Sequence, residues 1–157
     1  MSKTRSPGLT TSADPLAALE RLRQNARVQG GGGKGVWTDE ATYEAWTLMA
    51  ALGAATRRVR LGQMCTCIGY RNPAYLAKVA ATIDVMSGGR VEMGIGAGWY
   101  EHEWRAYGYG FPTIGERMAA FGEHLAIITA MFEPGRASYE GEYAHVRGAY
   151  NVPKGLQ

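Results

Sequence analysis

Residues 88–104 read GGRVEMGIGAGWYEHEW, and this stretch decides how the rest of the chain is interpreted. Its segment 90–95 alternates apolar residues with polar or small ones, and a period of two is typical of a β-strand. The strand runs into Gly96-Ala97-Gly98, which is followed by aromatic and ionisable residues. Because α/β proteins bind ligands at the carboxyl ends of their strands, this loop is a candidate site.

The Gly-x-Gly pattern in this stretch could also begin a dinucleotide-binding fingerprint. That motif requires a third glycine three residues after the second, but the two ways of counting reach Trp99 and Glu101. The pattern therefore disfavours a Rossmann fold. Two interpretations stay open, a ligand-binding loop and a tight bend between a strand and a helix.

The composition is typical of a soluble globular protein. The chain has 157 residues, of which 46% are hydrophobic and 20% charged, enough for one domain with its own core. The net charge of +3 is small and scattered, so we expect no nucleic-acid partner. No apolar run approaches the roughly 20 residues that span a membrane, and no signal-peptide pattern is visible. The prediction is a cytoplasmic protein without a membrane partner.

The two cysteines, Cys65 and Cys67, are two positions apart on a predicted strand and would point to the same face. A bridge between them would close a very small, strained loop, so no disulfide is predicted. Zinc would need further ligands at suitable spacing, and the sequence shows none, so no metal site is predicted. We interpret the pair as buried thiols.

Residues 1–35 are predicted to form a flexible segment outside the folded domain. A short helix can begin at Asp14-Pro15, but GGGGKG at 30–35 interrupts any regular structure. A phosphate-binding loop would need a hydroxyl residue after Lys34, where Gly35 stands. The domain is therefore predicted over residues 36–157.

Helices and strands alternate in this domain. The predicted elements are, in order, a helix from a cap at Thr38 or Asp39 to residue 56, a strand over 59–67, a helix capped by Asn72 over 73–87, and the strand over 90–95. Such alternation with short connections predicts a parallel sheet covered by helices. A capping box at Thr113 and Glu116 begins a long helix to residue 132, and a hairpin follows.

Each predicted helix has an apolar stripe that we expect to face the core. In the first helix the stripe consists of Ala45, Leu48, Met49, Leu52 and Ala55. In the second it consists of Leu76, Val79, Ala80, Ile83 and Met86. In the long helix it consists of Met118, Phe121, Leu125, Ile128 and Phe132.

Several motifs in the same order and spacing give the chain a family likeness. They are EAWT at 44–47, RLGQMCTC at 60–67, GYRNP at 69–73, SGGR at 87–90, GIGAGWY at 94–100, Glu103, Tyr107-Gly108 and GER at 115–117. In these motifs the chain resembles the luciferase-like flavin and deazaflavin oxidoreductases, most closely those that depend on coenzyme F420. The resemblance covers residues 36–157 and implies a (β/α)8 TIM barrel of which about half is present.

The resemblance also implies a cofactor site at the carboxyl ends of the strands. Its cofactor-binding residues would be Cys65, Thr66, Cys67, Ile68, Gly96, Ala97, Gly98 and His102, with a non-proline cis peptide at Cys67–Ile68. His102 would hydrogen-bond the cofactor, and His102 and Glu103 are the implied catalytic residues. The implied reaction is hydride transfer from reduced F420 to a small organic substrate.

Two alternatives to this function stay open. FMN could replace F420, with monooxygenation as the reaction. The catalytic histidine that relatives carry before the position of Trp46 has no counterpart here. A truncated, non-catalytic remnant or interaction fragment, with a second copy of the chain as a candidate partner, is therefore the alternative of another class.

Overall fold

The computed structural model describes residues 43–157, which form an α/β unit. Its helices are α1 (Ala45–Ala55), α2 (Pro73–Ser87), α3 (Glu101–Ala106) and α4 (Ile114–Phe132). Its strands are β1 (Leu61–Gly62), β2 (Thr66–Cys67), β3 (Val91–Glu92), β4 (Ile95–Gly96), β5 (Ala137–Glu140) and β6 (His145–Ala149), with a 3-10 turn at Ile68–Tyr70. The predictions for residues 1–42, including the domain boundary at 35, lie outside the described residues. No helix within residues 43–157 is long and apolar enough to cross a membrane.

The predicted strands pair in parallel, as expected. Strand β1 pairs with β3, and β2 pairs with β4. Each predicted strand is split in two, and a cis peptide at Met64–Cys65 lies in the gap between β1 and β2. The resemblance had implied this bond at Cys67–Ile68, but Cys67 belongs to the paired strand and Ile68 begins the 3-10 turn. The irregular peptide therefore falls before β2, not after it.

Helix α1 begins later than predicted, and the face that it buries coincides only in part with the predicted stripe, at Met49 and Leu52. The Glu44 carboxylate caps it by accepting hydrogen bonds from the backbone N–H groups of Trp46 (3.2 Å) and Thr47 (2.7 Å). Its buried residues are Trp46, Met49 and Gly53, whereas Ala45 and Ala55 of the predicted stripe are exposed. The large indole of Trp46 sets this rotation, because burying it removes more apolar surface than burying an alanine does.

Helix α2 has the predicted bounds. Asn72 accepts a hydrogen bond from the N–H of Tyr75 (3.1 Å) at its start, and Gly88 ends it in the left-handed conformation (φ 76°). The helix packs against both α1 and α4, so residues on two of its sides are buried. Met86, at the end of the predicted stripe, is instead exposed.

Helix α4 begins with the predicted capping box but turns another face to the core. The Thr113 hydroxyl accepts from the N–H of Glu116 (3.3 Å), and the Glu116 carboxylate accepts from the N–H of Thr113 (2.7 Å). The apolar residues that it buries are Ile127, Ile128 and Met131. Of the predicted stripe, Met118, Leu125 and Phe132 are exposed. Two apolar stripes adjoin on this helix, and their spacing alone does not say which one packs against α2.

The guanidinium of Arg90 fastens the end of α1 to the end of α2. It donates to the carbonyl oxygens of Gly53 (2.8 Å), Thr56 (3.0 Å), Val59 (2.6 Å) and Ser87 (2.7 Å), and to the Thr56 hydroxyl (3.0 Å). Helices end with carbonyl groups that have no partner inside the helix. One side chain here satisfies several of them together.

The carboxylate of Glu123 on α4 holds the loop of the hairpin. It accepts hydrogen bonds from the backbone N–H groups of Glu142 (2.9 Å), Tyr143 (2.8 Å) and Ala144 (2.9 Å). The antiparallel pair β5–β6 is thus tied to the helix through its loop as well as through its apolar face.

Asp84 anchors the last residues of the chain against β3. Its carboxylate accepts from the N–H of Val91 (3.1 Å), the N–H of Leu156 (2.6 Å) and the side-chain amide of Gln157 (3.1 Å). Burial works against its ionisation, but the hydrogen bonds from Leu156, Gln157 and Val91 outweigh burial and hold the pKa of Asp84 below its ordinary value of 3.8.

We expect Asp84→Asn to destabilise the fold by about 2 kcal/mol at neutral pH, because an amide cannot accept all three hydrogen bonds. The folded-state pKa of Asp84 is depressed, so its stabilisation is present above the unfolded pKa and lost as the pH falls through the folded pKa. Urea unfolding at neutral pH and at pH values below about 4 should therefore show the two proteins converging in acid. Glu92→Gln, at an exposed ion pair with Arg60, is the control. A difference that persists unchanged in acid would contradict this role of the charge.

Candidate cofactor site at the strand ends

The strand register brings the two predicted halves of the site together. Thr66 pairs with Ile95, and Cys67 pairs with Gly96, in parallel. The segments 65–68 and 96–98 are therefore backbone neighbours at the carboxyl ends of β2 and β4. This juxtaposition is what a site at the strand ends requires.

One face of these paired strands carries glycines and thiols. A Cβ atom at Gly96 would lie 2.7 Å from Sγ of Cys65, and one at Gly98 would lie 2.6 Å from Sγ of Cys67. Each sulfur atom thus rests against a glycine backbone, and a larger residue would displace it. Both cysteines are free, and Cys65 is exposed while Cys67 is half-buried, so the prediction of two buried thiols was wrong.

The residue between the two cysteines faces the helices instead. Thr66 is 4% exposed, and its hydroxyl accepts from Nε1 of Trp46 (3.0 Å) and donates to the side-chain carbonyl of Gln63. Because side chains alternate along a strand, Cys65 and Cys67 face away from α1. Ile68 is also buried, and Ala97 is half-buried. Thr66 and Ile68 can therefore contribute to a ligand site only through their backbone.

Glu103, an implied catalytic residue, is half-buried on α3 and engaged in a hydrogen bond. Its carboxylate accepts from the hydroxyl of Tyr70 at 2.8 Å. Burial, together with this bond and the charge of Glu103, raises the pKa of Tyr70. Burial, and to a lesser degree the same charge, also raises the pKa of Cys67 above 9.0. At neutral pH the Tyr70 phenol and the Cys67 thiol therefore both keep their protons.

His102, the other implied catalytic residue, is exposed on α3. Its ring lies 6.2 Å from that of Tyr100, which in turn lies 5.2 Å from the ring of Trp99. We call Trp99, Tyr100 and His102 the ring stack. In the chain, the ring stack begins directly after Gly98. The catalytic and cofactor-binding roles of His102 stay predictions.

The sequence did not predict helix α3 or the aromatic cluster that holds it. The ring of Tyr70 stacks on Tyr109 (5.0 Å, 15°) and meets the edge of Trp104 (5.3 Å), which also contacts Phe111 (5.9 Å). A Cβ atom at Gly69 would lie 2.0 Å from the ring of Trp104. The signal that was available in the sequence is the run of rings at 104, 107, 109 and 111.

Charged groups around this loop are largely paired with one another. Arg105 lies 2.7 Å from Glu101, and Arg71 contacts Glu44. Arg117 is buried, with its guanidinium 4.1 Å above the ring of Phe111. Among residues 43–157, no group of three or more histidine, cysteine or acidic side chains could hold a metal ion.

These residues fit the flat ring of a redox cofactor better than its charged tail. Next to Gly96, the exposed Cys65 is a small side chain that leaves room for a flat ring. Trp104 has a buried Nε1 without a hydrogen-bond partner among the described residues, close to the point where Gly98 would carry a Cβ (2.8 Å). A phosphate-bearing tail would need cations that are free of carboxylates, and Arg71 and Arg105 are not.

Comparison with known proteins identifies the family to which the chain belongs. Residues 2–156 match the sequence profile of the luciferase-like monooxygenases, a match that begins ahead of residue 36. An F420-dependent glucose-6-phosphate dehydrogenase from Nocardia farcinica is 34% identical over 122 residues, which are 71% of this chain and 34% of that protein. The pyrimidine monooxygenase RutA from Bradyrhizobium sp. is 32% identical over 129 residues, 81% of this chain and 35% of that protein.

Structural comparison agrees with the sequence match. The structure of an F420-dependent secondary alcohol dehydrogenase in complex with an F420–acetone adduct superimposes with a TM-score of 0.72 and 26% identity, over 92% of this chain and 46% of that one. The chain thus spans about a third of the length of these curated relatives. Its strands form part of a TIM barrel, and the barrel is not closed within residues 43–157. On the profile match and the paired strand ends together, the chain belongs to the luciferase-like monooxygenase family.

Proposed function

We propose that this chain supplies the ring-binding part of an oxidoreductase that uses coenzyme F420 to transfer hydride to a small organic substrate. The observation that carries the proposal is the register of Cys67 opposite Gly96, with the exposed thiol of Cys65 against the glycine backbone. The F420-dependent dehydrogenases among the relatives support this cofactor.

Each group at the site has a defined task in this proposal. F420, when bound, supplies the hydride from its reduced deazaflavin ring. The Cys67 thiol, whose pKa is raised by burial, stays protonated and adds no charge there. His102 donates a hydrogen bond to an oxygen atom of the cofactor, and the neighbouring ring of Tyr100 supports its imidazole. Glu103 fixes α3 through Tyr70, so that Trp99 to His102 keep their place beside the strand ends.

Two alternatives have support of their own. A monooxygenase that uses FMN is favoured by the 32% identity to a pyrimidine monooxygenase, since the same flat surface would accept either ring. A non-catalytic interaction fragment is favoured by the two-stranded parallel pairs, β1–β3 and β2–β4, whose outer edges have no paired strand among residues 43–157. Unpaired edges are ready to bind further strands.

Fluorescence titration with F420 and with FMN tests the proposal. We expect saturable binding of F420, and binding at least about tenfold weaker in Gly96→Val, because the added side chain would displace the thiol of Cys65 from its contact. Gly122→Ala is the matched control, since nothing lies within 4 Å of its added methyl group. Tighter binding of FMN would favour the monooxygenase. Binding of neither cofactor would favour the interaction fragment and overturn the proposal.

A further inference from the structure

The exposed indole of Trp99 points to the class of substrate. Trp99 follows Gly98 directly, and 77% of its surface is exposed. Tyr100 lies 5.2 Å away at a tilt of 40°, which supports one side of the indole and leaves most of it open to solvent. An indole held in this way at the end of a strand presents a flat, polarisable surface that binds planar apolar molecules well.

The charges on α3 and in the turn before α2 disfavour an anionic ligand. Three carboxylates lie around α3 and the turn before α2, those of Glu44, Glu101 and Glu103. The two guanidinium groups there, Arg71 and Arg105, are each paired with one of them. A phosphorylated or carboxylated substrate would meet net negative charge and would have to break an ion pair to gain a partner.

We propose that the substrate bound at Trp99 is a neutral, planar, conjugated carbonyl compound. The proposal rests on the proposed function, because a conjugated carbonyl accepts hydride at carbon and a proton at oxygen or at the neighbouring carbon. It differs from the sugar phosphate in the name of one relative. The indole stacks on the conjugated plane, and the paired arginines leave no cation for a phosphate.

Equilibrium dialysis with two matched probes tests this class without the cofactor. Methyl naphthyl ketone is neutral and conjugated, whereas naphthoate has the same ring system and a negative charge. We expect the ketone to bind at least about tenfold more tightly than naphthoate, because naphthoate meets the carboxylates around α3. We expect Trp99→Ala to weaken binding of the ketone by up to about tenfold, since that is what a well-stacked aromatic contact contributes to affinity. Tyr143→Ala, an exposed aromatic residue in the hairpin loop, is the control and should change nothing.

The outcomes separate this proposal from the proposed function. Equal binding of the two probes, or a Trp99→Ala variant that binds the ketone as the parent does, overturns the substrate class whether or not F420 binds. Ketone binding that depends on Trp99, in a protein that binds neither F420 nor FMN, supports the substrate class and overturns the oxidoreductase. Circular dichroism spectra of the two variants that match the parent show that the changes are local.

Discussion

Replacing Arg90 by alanine is expected to destabilise the protein by about 4 kcal/mol, because it leaves several partly buried carbonyl groups without a donor at once. The side chain donates to Gly53, Thr56, Val59 and Ser87, so the ends of α1 and α2 lose their common fastening. Urea unfolding followed by circular dichroism measures the loss. The slope of the transition should stay the same if the variant still folds to the same compact state.

Arg90→Lys and Arg58→Ala show whether the geometry of the guanidinium is responsible. Lysine keeps the charge but offers one ammonium group in place of a planar fork, so we expect Arg90→Lys to recover less than about half of the lost stability. Arg58 is exposed after the end of α1, and its replacement by alanine should stay within about 0.5 kcal/mol of the parent. An Arg90→Lys variant as stable as the parent would contradict the role of the fork.

Gly94→Ala is expected to destabilise the protein by about 3 kcal/mol and to weaken cofactor binding with it. The added Cβ would lie 2.0 Å from the carbonyl oxygen of Gln63, a backbone atom with little freedom to move. The carbonyl of Gly94 also accepts the hydrogen bond from Thr66 (2.9 Å), so the strands that form the site must separate to admit the methyl group. Both quantities are measured on one preparation, by urea unfolding and by titration with F420.

The control for Gly94→Ala is the same substitution in open surroundings. Gly122 lies inside α4, and nothing lies within 4 Å of a Cβ atom placed there. Gly122→Ala should therefore stabilise the protein, by about 0.5 to 1 kcal/mol, because alanine is the better helix former. If the two variants lost stability equally, crowding between β2 and β4 would not be the cause.

Local signals predicted the elements best. Asn72-Pro73 and the pair Thr113 and Glu116 placed the starts of α2 and α4 at the observed residues, because a cap is decided by a few neighbouring atoms. The parallel pairing of β2 with β4 also followed from alternation along the chain. Such features depend on short stretches of sequence, so one sequence suffices to find them.

Features set by distant contacts were harder to predict. The rotation of α1 depends on Trp46, whose hydrogen bond to Thr66 joins residues that are 20 positions apart. At the end of that helix the main donor to the terminal carbonyl groups is Arg90, which lies 37 residues from Gly53 in the chain. No periodic pattern identifies a partner more than 30 residues away.

The candidate site shows the same division. The resemblance implied that segments 65–68 and 96–98 border one site, and the two segments are neighbours in the structure, whereas the register of Cys67 opposite Gly96 was not predicted. The hydrogen-bond partners of the side chains at the site were not predictable. Glu103 accepts a hydrogen bond from Tyr70, which precedes it by 33 residues, and only the fold brings the two together.

The hydrogen bonds from the hairpin loop to Glu123 determine how this part of the molecule unfolds. Three consecutive amides find their acceptor on the helix, in addition to the hydrogen bond that the N–H of Gly141 donates to the carbonyl oxygen of Ala144 (3.1 Å) inside the loop. The hairpin and the helix will then melt as one cooperative unit. A hairpin peptide that begins after Gly135 lacks the Glu123 carboxylate, and we expect it not to fold by itself.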